Sequence, residues 1–364
     1  MKPFVLLLTA TLQAAALAVN IGPIAPDSPA REPQLAANKS IVGLTFGAAN
    51  GIYFSSSTDA GKTFSAPVKV AEAEIVPLAR HRGPKLAFSR NAIVITAIVG
   101  RTLATGPHAH GLPSDGDLMA WRSTDGGKTW GKAIRINDVA GAPTEGLHSL
   151  AGNAHGHLFA VWLDKRSGHG TKLYGAKSTD GGLSWRKNTV IYDSPEGTIC
   201  ECCHPSAAID AGGQIFVMWR NWLAGSRDMY LARSQDGTTF SKPEKLGTGT
   251  WKLNACPMDG GGLALLHNRI VTAWRREREI FLASPGVQEV PLAEGTDVAI
   301  ATGESGLFAV WSSPAGIRAL TPGQKGPVAL TAKGSFPNVI VLPSGEALAA
   351  WEEEGKIVIR QISR

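Results

Sequence analysis

Ser123-Thr-Asp125-Gly-Gly127-Lys-Thr-Trp130 reads as a turn that stabilises itself, and the chain carries the pattern repeatedly. The aspartate side chain accepts hydrogen bonds from nearby backbone amides, glycine takes the positive φ, and the aromatic ring tucks beneath. Full copies lie at Ser57-Thr-Asp59-Ala-Gly61-Lys-Thr-Phe64 and Ser178-Thr-Asp180-Gly-Gly182-Leu-Ser-Trp185. A copy one residue short lies at Ser234-Gln-Asp236-Gly-Thr-Thr-Phe240.

A second repeat is a short apolar strand ending in tryptophan: Leu158–Trp162, Ile215–Trp219, Ile270–Trp274, Leu307–Trp311 and Ala347–Trp351, with Ile41–Phe46 and Ala92–Ile98 in the same slot earlier. Seven units follow, beginning near residues 33, 76, 143, 196, 251, 294 and 334. Each reads as four short strands joined by glycine-rich turns, with no helical period between them. Radial repetition of such sheets is an all-β propeller. Seven blades follow from the repeats, and six if the first unit is absorbed. The last unit has three clear strands, so residues 19–30 are expected to close the ring. One propeller domain then spans residues 19–364.

Composition agrees. Of 364 residues, 42 are glycine and 22 proline, 43% are hydrophobic, and 18% are charged against the ~25% usual for a soluble domain. Such a chain buries a large core and is neither a helical bundle nor disordered. The net charge of +6 suits an anionic ligand or surface, yet the basic residues form no stripe of the kind that binds nucleic acid. Beyond the N-terminus no apolar run is long enough to span a membrane. At the N-terminus, Lys2, the apolar stretch Phe4–Ala18 and the small-residue pattern Ala16-Leu17-Ala18 read as a signal peptide over residues 1–18. A periplasmic or secreted location is therefore expected, with cleavage near Ala18.

In a propeller, the loops into each inner strand share one face with those joining second and third strands. The Asp-box turns occupy the other face. This rule gathers at one mouth Arg82, Glu145, His148, Cys200, Cys202, Cys203, His204, Cys256, Met258, Asp259, Asp297 and Phe336. The loops add Asp115, Arg166, Arg220, Arg227 and Arg275. Arg82, His148, Arg166, Arg220 and Asp259 are the candidates for holding a small anionic ligand.

The boxes resemble the Asp boxes, or BNR repeats, of sialidases and related propellers, over nearly the whole mature chain. The resemblance implies an arginine shell for a sugar carboxylate, an aspartate acid, and a tyrosine nucleophile activated by a glutamate. Arg82-Gly-Pro84 is similar to the family's first arginine motif. Asp115-Gly-Asp117 running into a box is similar to its acid segment, and the strand ending at Arg220 to that of its second arginine. Arg275 or Arg276 is the candidate third. The match then fails. Phe336 stands where the tyrosine belongs and Ile209 near where the glutamate belongs, and neither has an atom to attack or activate with. Non-hydrolytic binding of an anionic ligand or sialoglycan is thus the expectation. The alternative is a sialidase or other glycan hydrolase in which a carboxylate such as Glu145 or Asp297 substitutes.

Cys200-Glu-Cys202-Cys203-His204 and the later Cys256-Pro-Met258-Asp259-Gly resemble motifs of a group of secreted bacterial Asp-box propellers. If extended, Cys200, Cys202 and His204 share one strand face, and Cys256 and Met258 share a face in the next blade. Together with Cys203, that soft set suits Cu(I) better than Zn, Mg or Ca. Two structural disulfides are the competing reading for an exported protein. Cys200-x-x-Cys203-His204 also fits the haem-attachment pattern, although an inner strand offers a haem little room.

Overall fold

The strands ending in tryptophan form the hearts of the blades because they are apolar on both faces. Val42–Ala48, Leu158–Asp164 and Ile215–Arg220 are buried at every position. A second strand of a four-stranded blade has sheet neighbours on each side and a blade packed on each face, which leaves no face for solvent. In the computed structural model, which describes residues 18–106 and 109–362, these strands belong to seven four-stranded antiparallel sheets and no helix is present among the described residues. The protein is a seven-bladed β-propeller, so the six-blade alternative is set aside.

The inner strands are Ala30–Ala37, Lys85–Ser89, His148–Gly152, Ser206–Ile209, Gly262–Leu266, Thr296–Gly303 and Ser335–Val341. Each contacts the next, and the seventh contacts the first. Apolar clusters fill the wedges between blades. Phe159 and Trp219, for example, share the core joining blades three and four, and Phe308 and Trp351 that joining blades six and seven. The ring closes as expected: Val19–Ile21 pairs antiparallel with Lys356–Ile362, with Val19 opposite Ile359. The proposed signal peptide falls on residues 1–18, of which 1–17 lie outside the described residues.

The Asp boxes behave as their chemistry requires. Asp125 accepts the backbone N–H groups of Lys128 and Thr129 at 3.0 Å and hydroxyls of Ser123 and Thr129, while Ser123 Oγ accepts Gly127 N–H at 2.9 Å. Gly127 has φ +89° and a Cβ there would lie 2.1 Å from the Phe54 ring, so only glycine fits. Trp130 packs edge-on to Phe54, with ring centroids 5.3 Å apart. These turns join third to fourth strands, on the face opposite the loops leading into the inner strands.

Three inner strands begin with a bulge. Pairing slips between Arg31 and Gln34, between Thr296 and Ala299, and between Ser335 and Asn338. In each slip one non-glycine residue has a left-handed backbone: Glu32 (φ 56°), Asp297 (φ 55°) and Phe336 (φ 50°). Bulges re-aim side chains, and these three aim theirs into the channel mouth.

Candidate functional site

The channel cavity, about 230 Å³, is lined at its mouth by Glu32, His81, His204, Asp297 and Phe336, and along its walls by residues including Leu35, Lys85, His148 and Ile300. His81 is the hub. Its Nε2 lies 2.8 Å from Asp297 Oδ1, and its backbone N–H donates to Glu32 Oε1 at 3.1 Å. Its ring lies against His204, tilted by 36° with centroids 4.2 Å apart, and meets Phe336 edge-on at 5.4 Å. Asp259 sits beneath, accepting the backbone N–H of Asp297 at 3.0 Å.

The two carboxylates on His81 are driven apart in acidity. Burial pushes Glu32 up to about 7, against the charges of His81 and Lys85. Burial also works against the charge on Asp297, but its hydrogen bond and ion pair with His81 hold it below the ordinary range. Desolvation opposes an imidazolium at His81, and Asp297 outweighs it and raises the pKa. His204 and His148 are kept neutral by burial, His148 down to about 3.

The cysteine segment does not run extended. Residues 201–203 form a turn, so Cys203 joins Cys200 and Cys202 on one side. Strand parity would have sent it to the other face. The three Sγ atoms lie within 4.8 Å of one another, with Cys200 3.3 Å from Cys203 and 3.6 Å from Cys202. Their residues are 1%, 7% and 1% exposed. Arg227 Nη1 points at Cys200 Sγ from 3.0 Å. Hydrogen bonds with Cys202 and Cys203, and then the charges of Arg227 and Arg220, hold Cys200 well below the usual thiol range despite burial. Cys202 is pushed up by its hydrogen bonds to its neighbours, and Cys203 by burial first.

The rest of the sequence-based soft set separates from it. His204 turns into the channel, where Nδ1 accepts Gly260 N–H and Nε2 meets the Gly261 carbonyl at 3.1 Å. Cys256 is exposed, and Met258 packs against the cluster from outside. All four cysteines are free thiols in this structure, three buried together and Cys256 exposed. A haem does not fit: Cys200 and Cys203 are sealed in, and both His204 ring nitrogens are engaged. A metal about 2.3 Å from each of three sulfurs in a trigonal plane needs them about 4 Å apart, a small spreading of what is seen here. The three buried sulfurs could therefore hold a metal ion.

The arginines expected to form the shell are engaged within the protein, and Arg220 and Arg275 lie together over the Trp251 ring. Arg220 spends all three guanidinium nitrogens on the carbonyls of Asp259, Arg227 and Arg275. Arg166 is consumed by Asp164, Asp138 and Asn188. Arg275 donates to Glu277 O at 2.7 Å. Arg82 donates to Glu145 O at 2.6 Å, with the Glu145 carboxylate 3.7 Å away. Buried guanidinium groups must find partners inside the protein, and the two buried here, Arg82 and Arg220, find backbone carbonyls. Asp115 caps the Arg101 and Thr102 amides and lines an outer cavity with Asp117 and Arg135. Glu32 was missed by sequence reasoning. Its signal was Glu32-Pro33 at the head of an inner strand, parallel to Phe336-Pro337.

A seven-bladed ring with box turns on one face and a polar mouth on the other defines a sialidase-type propeller. The chain matches the BNR repeat-like domain over residues 51–286 and belongs to that family. Solved structures with the same fold include a leech intramolecular trans-sialidase (11% identity, 97% of this chain and 70% of that one, TM-score 0.55). Others are an α-L-arabinanase of Penicillium chrysogenum (13%, 96% and 98%, TM-score 0.54) and a Dyadobacter fermentans protein of unknown function (15%, 95% and 98%, TM-score 0.54). No curated protein sequence matches the chain. Among the described residues no helix is long and apolar enough to cross a membrane.

Proposed function

We propose that this protein is an exported, non-hydrolytic propeller that holds one Cu(I) ion in Cys200, Cys202 and Cys203. The observation that carries this reading is the convergence of three buried sulfurs on one point beside Arg227. Three thiolates around a monovalent ion leave a net negative charge, and Arg227 with the nearby Arg220 offsets it. Soft sulfur prefers Cu(I). Export is supported by the N-terminal signal pattern of residues 1–18, and N-terminal sequencing of the exported protein should then begin at Val19. The test of the site is titration of reduced protein with Cu(I) against a competing chelator. Wild type should take up about one equivalent, and Cys202→Ser should lose most of its affinity. Equal, weak binding by both would sink the proposal.

A second reading rests on Glu32 and Asp297. A carboxylic acid and an ionised carboxylate on one histidine form the pattern of an acid–base pair, so a glycan hydrolase with altered catalytic residues is the alternative. It requires turnover of a sialoside or arabinoside that Glu32→Gln abolishes.

A further inference from the structure

The thiol cluster is sealed, so an ion must reach it through something that moves. Met258 is the side chain in position to do so. It packs on Cys200, Cys202 and Cys203 from one side, and from the other it lines a separate cavity of about 500 Å³ with Arg31, Arg80, Arg82 and His110. Among the described residues no aspartate or glutamate lines that cavity, so its field favours anions. Arg31 and Arg80 are exposed at its rim. The Arg80 guanidinium donates to the thioether sulfur of Met258. Met258 also has a left-handed backbone, φ 58°, a costly conformation for a non-glycine residue and one that clusters at functional sites.

We propose that this cavity is the loading port of the thiol cluster: it receives Cu(I) as a small anionic complex, and Met258 is the first protein ligand. This rests on the Cu(I) reading of the cluster. The step is ligand exchange without redox change. Arg31 and Arg80 hold the anionic complex, which draws Arg80 off the sulfur. Met258 Sδ displaces one ligand of the complex, the ion passes to the Cys200 thiolate, and the remaining ligands leave as anions. Cys202 and Cys203 then bind with release of their protons to solvent. A thioether suits this part because it binds Cu(I) but, being neutral, lets it go to thiolates.

The test is anaerobic stopped-flow loading of the reduced full-length protein, followed by thiolate-to-copper absorbance. The probes are Cu(I) thiosulfate, which is anionic, and Cu(I) acetonitrile, which is cationic. Met258→Leu should load roughly tenfold more slowly from both, a barrier increase of about 1.4 kcal/mol, while final uptake is retained by the three thiols. Arg80→Ala should lower the ratio of the anionic to the cationic rate and weaken its dependence on salt. Wild-type rates in Met258→Leu, or an unchanged ratio in Arg80→Ala, with uptake intact, would overturn the port alone. No uptake by wild type at equilibrium would overturn the cluster as a copper site and the port with it.

Discussion

Arg227 Nη1 lies 3.0 Å from Cys200 Sγ, and the same guanidinium donates through Nε to the carbonyl of Leu253 at 3.1 Å. A charge aimed at a buried sulfur and anchored from behind favours its thiolate form and holds its pKa low. Two consequences can be measured. Arg227→Met should raise the pH at which thiolate absorbance appears in the reduced protein. Because the folded pKa of Cys200 is depressed, its contribution to stability is fully present above the unfolded thiol value of about 8.5 and fades as pH falls through the lower folded value. Wild type should therefore gain stability with rising pH in that window relative to Cys200→Ser. Cys202 and Cys203 act in the opposite sense, above the ordinary thiol range. Identical pH profiles for wild type and Cys200→Ser would mean no thiolate is present.

Glu32 gives a second pH signature. Its pKa rises from 4.5 in the unfolded chain to about 7 in the folded protein, so the folded state holds the proton more tightly. Stability is greatest below the unfolded value and is lost as pH rises through about 7. At one unit per 1.36 kcal/mol the loss is about 3 kcal/mol. His81, also raised, adds to it. Glu32→Gln should flatten the dependence between pH 5 and 8 and melt at a higher temperature than wild type at pH 8. A parallel pair of melting curves at every pH would exclude the assignment.

The clasp should matter beyond its length. Deleting Val19–Ile21 leaves Lys356–Ile362 as an unpaired edge and uncovers Ile357 and Ile359, both buried in the core that joins the last and first blades. Exposed apolar edges pair with other chains. The truncated protein should unfold at lower temperature and aggregate at concentrations where wild type stays monodisperse. Light scattering compared before and after the thermal transition checks this.

Hydrolysis should be absent for sialosides, and Phe336→Tyr should not create it. The ring at position 336 faces His81 at 5.4 Å, but Ile209 is buried in the core between blades three and four and supplies no base. Turnover of a fluorogenic sialoside by Phe336→Tyr alone would show that another group activates the phenol.

The architecture was readable along the chain because its causes are local. An aspartate that satisfies its own turn and a strand apolar on both faces identify themselves within eight residues. Repetition alone then implies a closed ring, including the strand at Val19 that completes it. The site was only half readable. Cysteine content and order pointed to a thiol cluster able to hold a metal, yet strand parity misassigned Cys203, since residues 201–203 turn instead of running extended. The arginines that resemble a carboxylate shell are spent on carbonyls and acids of the protein, some of them distant in sequence, as Arg220 is on Asp259 and Arg275. Glu32, Asp297 and Phe336 reach the mouth through bulges whose register is set by partner strands. A buried charge takes whichever partner the fold brings near, and that choice belongs to the tertiary structure.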